Sequence, residues 1–381
     1  MGRTALVVAV LCGTPAIIRA QAKPPSLQDL AARARADSND PVAHYNLAAA
    51  LVKRGRHRDA ERPLREAVGI DPQYAPALML LANVNVSLRS GQLFWVKQGR
   101  HILVGQIDPR ADETSLLHRR AFLIDPLVEV GQPHRVPVPV AWRGTFDQAF
   151  RAYDEGRWTD ASAGFQKVID RTVRPSDSTK VPPAALWFRA RCALKLGAYD
   201  AAIPDLEWLL RLRMQDSLTE RNWNPFAGEE LRYILAYVHQ QAGRWDEAVS
   251  RYQALLELNL GLDGAHTHLA EIYSAQGRWN DAVSERVRAI QSNPDATSLY
   301  FNLGATLSGA GRHEEAIASL ERYVASYPRE SRAFYMIGVG QMSLGHADSA
   351  RAALTQFLAL APSRYAEQID DARRRLGTLG N

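Results

Sequence analysis

Gly243-Arg-Trp-Asp-Glu-Ala248, Gly277-Arg-Trp-Asn-Asp-Ala282, Gly311-Arg-His-Glu-Glu-Ala316 and Gly345-His-Ala-Asp-Ser-Ala350 set four glycines at successive spacings of 34, 34 and 34 residues. Three identical spacings with matching flanks mark an internal repeat, and a period in this range signals stacked supersecondary units. Three earlier cassettes follow the same pattern: Gly55-Arg-His-Arg-Asp-Ala60, Gly156-Arg-Trp-Thr-Asp-Ala161 and Gly197-Ala-Tyr-Asp-Ala-Ala202. Glycine accepts the positive φ that ends a helix. Thr159, Asp200, Asp246, Asn280 and Asp348, three residues on, are residue types that cap the next helix. The alanine five residues after each glycine marks the closest approach of two antiparallel helices, where a larger side chain would overpack.

Amphipathic stretches flank the cassettes, such as Leu303 and Leu307 before Gly311 and Ile317, Leu320 and Val324 after it. Pro72, Pro294, Pro328 and Pro362 close the second helix of their units, because proline lacks the donor a continuing helix needs. On these residues the chain resembles the tetratricopeptide repeat family. The unit from Pro41 supplies Leu47, Ala48, Leu51, Ala60, Leu64, Ala67 and Pro72 at the family's apolar and closing positions; the unit from Thr297 supplies Tyr300, Leu303, Gly304, Leu307, Ala316, Leu320 and Pro328. Tyr323, Phe357, Leu209 and Leu255 stand where the family has a small residue, and Arg286 where it has an apolar one. The resemblance implies an all-α, right-handed α-α superhelix of about eight helical-hairpin units, covering residues 26–90 and 142–376.

The domain organisation follows from where the period holds. Residues 23–109 read as N-terminal units, regular over 41–74 and degenerate over 75–109, with Ala77–Leu88 and Phe94–Ile107 as the two helices of the degenerate unit. Residues 110–141 read as an irregular insertion. Within it Glu113–Ile124 suits one further helix, and Val136-Pro-Val-Pro-Val140 suits either an extended strap over the solenoid or a loop. Residues 142–362 form the main array, with loop insertions near 170–183 and 213–228, where the glycine spacing grows to 41 and 46. A capping helix and tail occupy 363–381.

Residues 1–22 suit an export signal: Arg3, an apolar run from Ala5 to Cys12, a Gly13-Thr14-Pro15 break and a small-x-small end at Ala20-Gln21-Ala22. Cleavage there places the mature chain in the periplasm or outside the cell; an uncleaved N-terminus would anchor it to the membrane. Over all 381 residues, 46 basic side chains face 41 acidic ones, and this +5 is dispersed. Nucleic acid wants a dense basic stripe, so that class of partner is excluded. No apolar run reaches the length of a bilayer span. Cys192, on a first helix five residues before Gly197, reads as a buried structural thiol.

No catalytic pattern emerges. None of the ten histidines belongs to a His-Glu-x-x-His helix, His266 and His268 lie on different helix faces, and His57 and His313 fill the cassette slot that holds Trp158, Trp245 and Trp279 elsewhere. The sequence offers no nucleophile elbow, phosphate loop or Cys-x-x-Cys pair, so neither an enzyme nor a cofactor or metal site is assigned.

Binding is better represented. The resemblance implies that first helices line a concave face, where this chain sets Phe146, Phe150, Tyr153, Trp187, Arg191, Tyr233 and Tyr237. Such an aromatic wall suits a peptide, at low entropic cost to the rings; plain packing is the other explanation of the same rings. The family's carboxylate clamp is not matched, since aromatic residues replace its lysine. The resulting expectation is a non-catalytic protein- or peptide-binding scaffold or adaptor of the cell envelope. The alternatives are a glycan- or peptidoglycan-binding module using the same wall, and an enzyme whose site is built by residues 94–141.

Overall fold

The computed structural model describes residues 25–88, 92–98, 101–107, 110–128, 143–172, 182–215, 228–259 and 261–379. The export-signal, Val-Pro-Val-Pro-Val and loop-insertion expectations lie largely or wholly outside these residues.

A leading helix, α1 (Leu27–Ala36), opens on a capping box in which Ser26 and Asp29 satisfy each other's backbone N–H. Eight helical hairpins follow: α2 (Pro41–Val52) with α3 (His57–Ile70), α4 (Ala75–Ser87) with α5 (Ala111–Ile124), α6 (Arg143–Asp154) with α7 (Trp158–Thr172), α8 (Pro183–Lys195) with α9 (Tyr199–Gln215), α10 (Gly228–Gln241) with α11 (Trp245–Leu258), α12 (Asp263–Ala275) with α13 (Trp279–Ser292), α14 (Leu299–Gly309) with α15 (His313–Ser326), and α16 (Ser331–Ser343) with α17 (Ala347–Leu360). A 3-10 turn (Ser363–Tyr365) and α18 (Ala366–Thr378) complete the chain. The architecture is an all-α solenoid carrying one small β-hairpin. It divides into two compact units, residues 1–124 with 295–381, and residues 125–294.

The cassettes work as follows. All seven glycines take φ between +71° and +78°. The residue after each donates its N–H five residues back, as Arg278 does to the Tyr273 carbonyl at 2.8 Å, and the glycine donates three residues back, which is the Schellman closure. The seven cassette alanines are 0–1% exposed, as the close approach of paired helices demands. At α14–α15 the contact is tighter still: a Cβ on Gly304 would lie 2.6 Å from Leu320 Cγ and 3.2 Å from the Ala316 carbonyl oxygen.

The capping expectation for the cassettes is corrected. Where the N-caps are resolved on second helices, they are the residues one after the glycine, such as Arg244, Arg278 and Arg312, with no side-chain cap. Asp246, Asn280 and Asp348 already lie inside the first turn. An acid one residue further pairs back to the cassette arginine: Arg56–Asp59 at 2.7 Å, Arg157–Asp160 at 2.8 Å, Arg278–Asp281 at 2.8 Å and Arg312–Glu315. These acids face the positive helix end, which favours them further.

The degenerate unit is also corrected. Phe94–Ile107 is not a helix: Gln92–Gln98 (β1) pairs antiparallel with His101–Ile107 (β2), Gln98 opposite His101 and Gln92 opposite Ile107. The second helix of that unit is α5, assigned above to the irregular insertion. It packs on α4 through buried Leu117 and Ala121, with Asn85 Nδ2 donating to Glu113 Oε2 at 3.1 Å and Arg120 Nη2 to the Pro72 carbonyl at 2.8 Å.

The departures from the family pattern are absorbed by burial. Tyr323, Phe357, Leu209 and Leu255 are 1–3% exposed. Cys192 is a buried free thiol, and burial pushes its pKa up to about 12, so it stays protonated and inert.

Candidate functional site

The seven residues of the expected wall all lie in the unit of residues 125–294. Helical spacing puts Phe146, Phe150 and Tyr153 on one face of α6, Trp187 and Arg191 one turn apart on α8, and Tyr233 and Tyr237 one turn apart on α10.

Phe146, Phe150 and Tyr153 gather around Phe188, a ring that the sequence reading passed over. Phe188 is fully buried, with its centroid 5.1 Å from Phe150, 5.4 Å from Tyr153, 5.5 Å from Phe165 and 6.0 Å from Phe146. Its signal was adjacency to Trp187 on a first helix; a neighbour one residue away points to another face, and that face is the core. The Arg191 guanidinium sits 5.4 Å from the Tyr153 ring and 5.9 Å from the Trp187 ring, a cation held over two aromatic faces.

Tyr233 and Tyr237 gather instead around His268 of α12, whose ring is 5.7 Å from Tyr233, 5.2 Å from Tyr237 and 5.5 Å from Tyr252. A polar chain runs through this group. Tyr252 Oη donates to Gln240 Oε1 at 3.1 Å, Gln240 Nε2 donates to Glu271 Oε2 at 3.0 Å, and His268 Nδ1 hydrogen-bonds the same oxygen at 2.9 Å. Burial works to raise the Glu271 carboxyl, but His268, Arg286 and Gln240 together hold it at about 2. Arg286, the charged residue at a family apolar position, is thereby explained. Its side chain is buried beside Glu271, its Nη1 donates to the Thr267 carbonyl at 3.3 Å, and burial lowers its pKa. His266 faces away, onto Glu285 of α13 at 2.6 Å.

Burial decides how much of the wall is available. Phe146, Tyr153, Trp187, Arg191 and Tyr233 are 2–9% exposed, so they serve mainly as packing. Phe150 and Tyr237 are half-buried, as are Gln240 and Glu271. The segment after α5 adds Asp125, whose carboxyl is raised by burial despite the nearby His268 and Lys195 charges. Among the described residues, no group of three or more His, Cys, Asp or Glu side chains is placed to hold a metal ion, and no helix is long and apolar enough to cross a membrane.

Eight helical hairpins among the described residues, seven of them closed by a positive-φ glycine, define a helical-hairpin repeat protein. Family models described as tetratricopeptide repeat match residues 146–217 and 267–331, residues 231–264 and residues 41–66, together about half of the chain. The chain belongs to the tetratricopeptide repeat family, whose domains generally bind protein partners. Among solved structures it is similar to MamA (41-end) from Desulfovibrio magneticus RS-1, at 16% identity and a TM-score of 0.40, over 47% of this chain and 94% of that one. It is also similar to the C-terminal part of a TPR repeat-containing protein from Cytophaga hutchinsonii, at 14% identity and a TM-score of 0.46, over 60% of this chain and 84% of that one. A thermophilic TPR protein of Thermus thermophilus matches at 22% identity and a TM-score of 0.36, over 52% of this chain and 98% of that one. No curated protein matches.

Proposed function

We propose that the chain is a non-catalytic adaptor of the cell envelope, exported by residues 1–22, which binds a protein or peptide along the first helices of residues 143–275. The observation that carries this reading is the half-buried pair Phe150 and Tyr237, each seated on a rigid buried aromatic group. Rings fixed before binding lose little entropy when a partner covers them. The partly exposed Gln240 and Glu271 beside Tyr237 add polar groups already held in place by their own hydrogen bonds. A peptide is favoured over a glycan because Phe146, Tyr153, Trp187 and Tyr233 are covered by protein neighbours, leaving few free ring faces for sugars to stack on.

The test is to replace Phe150 and Tyr237 with Ala, separately and together, and to measure partner capture from envelope fractions by the full chain. Capture several-fold weaker, with helix content unchanged by circular dichroism, is expected. Unchanged capture by the folded double variant would remove the groove assignment. N-terminal sequencing of the fractionated protein checks export independently, with Lys23 expected as the first residue.

A further inference from the structure

A second charged surface lies on the other compact unit, on the outward face of α3. Ala60, Pro63, Leu64, Ala67 and Ile70 turn one side of that helix into the core. The opposite side carries Arg58, Glu61, Arg62, Arg65, Glu66 and Gly69, which with Arg329 line an open recess of about 500 Å³.

The charges of this recess are not balanced. Arg329 spends its guanidinium on Glu66 Oε2 at 2.8 Å, Asn39 Oδ1 at 3.2 Å and the Ser38 carbonyl at 2.8 Å. Arg65 takes Glu113 through two hydrogen bonds of 2.7 and 3.2 Å and Glu61 through a third of 3.1 Å, while Arg110 also reaches Glu61 at 3.2 Å. Both acids of the recess are therefore matched. Arg58 and Arg62 are exposed and make no ion pair or hydrogen bond among the described residues, although the Arg62 charge adds to that of Arg329 in lowering the Glu66 carboxyl pKa. They stand four residues apart on the helix, neighbours separated by roughly 6 Å. At the far end Gly69 leaves open space, with nothing within 4 Å of where a Cβ would stand, so a partner backbone can lie close.

We infer that this recess is a docking site for an acidic segment of a partner protein, two of whose carboxylates pair with Arg58 and Arg62. Two exposed guanidinium groups carried on one helix face favour carboxylates, which they can grip bidentately. A nucleic-acid backbone or an anionic membrane is a less suitable occupant, because Glu61 and Glu66 interrupt the arginines and would face a continuous polyanion. The site is separate from the aromatic groups of residues 143–275 and does not depend on them. It is composite, since Arg329 comes from the opposite end of the chain.

The test uses the full chain and fluorescein-labelled helical peptides of about 15 residues, long enough to form helix. One carries Glu pairs four residues apart; its counterpart carries Gln. Anisotropy is read at about 50 mM and about 300 mM salt, which brackets strong and weak screening. The Glu peptide is expected to bind at low salt and the Gln peptide not to. R58E/R62E should weaken binding about tenfold or more, the milder R58Q/R62Q several-fold, and R58K/R62K only slightly. R151E, at an exposed arginine outside the recess, should leave it unchanged. Binding by folded R58E/R62E and R58Q/R62Q equal to that of the unsubstituted chain, or an equal loss from R151E, would overturn the proposal. So would tighter, Arg58/Arg62-dependent binding of a DNA duplex or of vesicles containing anionic lipid.

Discussion

The imidazole of His239, on α10, is 3% exposed, and neither ring nitrogen has a hydrogen-bond partner among the described residues. Burial lowers its pKa below the ordinary histidine value, and the Arg251 and Arg244 charges push the same way. The unfolded chain therefore takes up a proton near pH 6.5 that the folded residue refuses, so His239 costs stability increasingly as pH falls through that range. Replacing it with Leu removes two orphaned polar atoms at similar volume. A gain of roughly 1–2 kcal/mol is expected in urea unfolding, larger at pH 5.5 than at pH 8. A loss, or a gain independent of pH, would show that the ring has a partner or packs irreplaceably. His57 and His313 were legible as packing residues from their cassette slot, and each has a buried Nδ1 without a partner. The separate roles of His266 and His268 were legible only as a difference of helix face. What each face meets, Glu285 in one case and a tyrosine cluster in the other, depended on helices distant in sequence.

Between helices, the cassette was read correctly at its glycine and alanine and incorrectly at its polar pair. The glycine and alanine are constrained by sterics within a few residues, a positive φ and a close approach, and such constraints show in residue type. The polar pair had two chemically acceptable uses, cap or ion-pair partner, and a helix start two residues earlier selected the second. The α4–α5 pair shows the same division. The apolar runs Leu93–Val96 and Ile102–Val104 around Gly99-Arg100 carry a hairpin signal, which a reading tuned to helical periods turned into a helix. The hairpin occupies the place of an interhelical turn, while α4 and α5 pack on each other directly: Asn85 bonds Glu113, Arg110 just before α5 donates from Nη1 to Asn85 Oδ1 at 3.2 Å, and Arg120 donates to the carbonyl of Pro72 just before α4. Replacing residues 89–109 with a short Gly-Asn turn is therefore expected to keep the remaining helix content and to shift the thermal midpoint of the unit that contains it by only about 2–4 °C, equivalent to roughly 1 kcal/mol in a unit of about 200 residues. Loss of cooperative unfolding would show instead that the strands hold the helix pair together.

At the scale of the molecule, a solenoid is expected to contact only its sequence neighbours, but here the first hairpin meets the last ones. Within the unit of residues 1–124 and 295–381, Arg329 bonds Glu66, Asn39 and Ser38; Arg332 reaches Asp71 at 3.0 Å, Gln73 Nε2 donates to the Ser298 carbonyl at 2.6 Å, and Ser363 donates its N–H to Asp37 at 2.8 Å. Arg364 pairs with Asp40 at 3.1 Å. These links are polar and partly exposed, hence sensitive to salt. In R329A/R332A, amide hydrogen exchange in residues 37–74 is expected to quicken at least about fivefold, reporting a local opening, while exchange in residues 228–292 stays as it was. Unchanged exchange in 37–74 would mean that the ion pairs are incidental. The repeat, the hairpin count and the burial of Cys192 were determined by the sequence, because each follows from contacts within one or two periods. The tertiary structure alone decided that most of the aromatic wall is core, that Arg286 is answered by Glu271, and that the ends of the chain share one unit. Burial and ion pairing depend on which distant surfaces meet, and a repeat pattern, identical from unit to unit, carries no record of that.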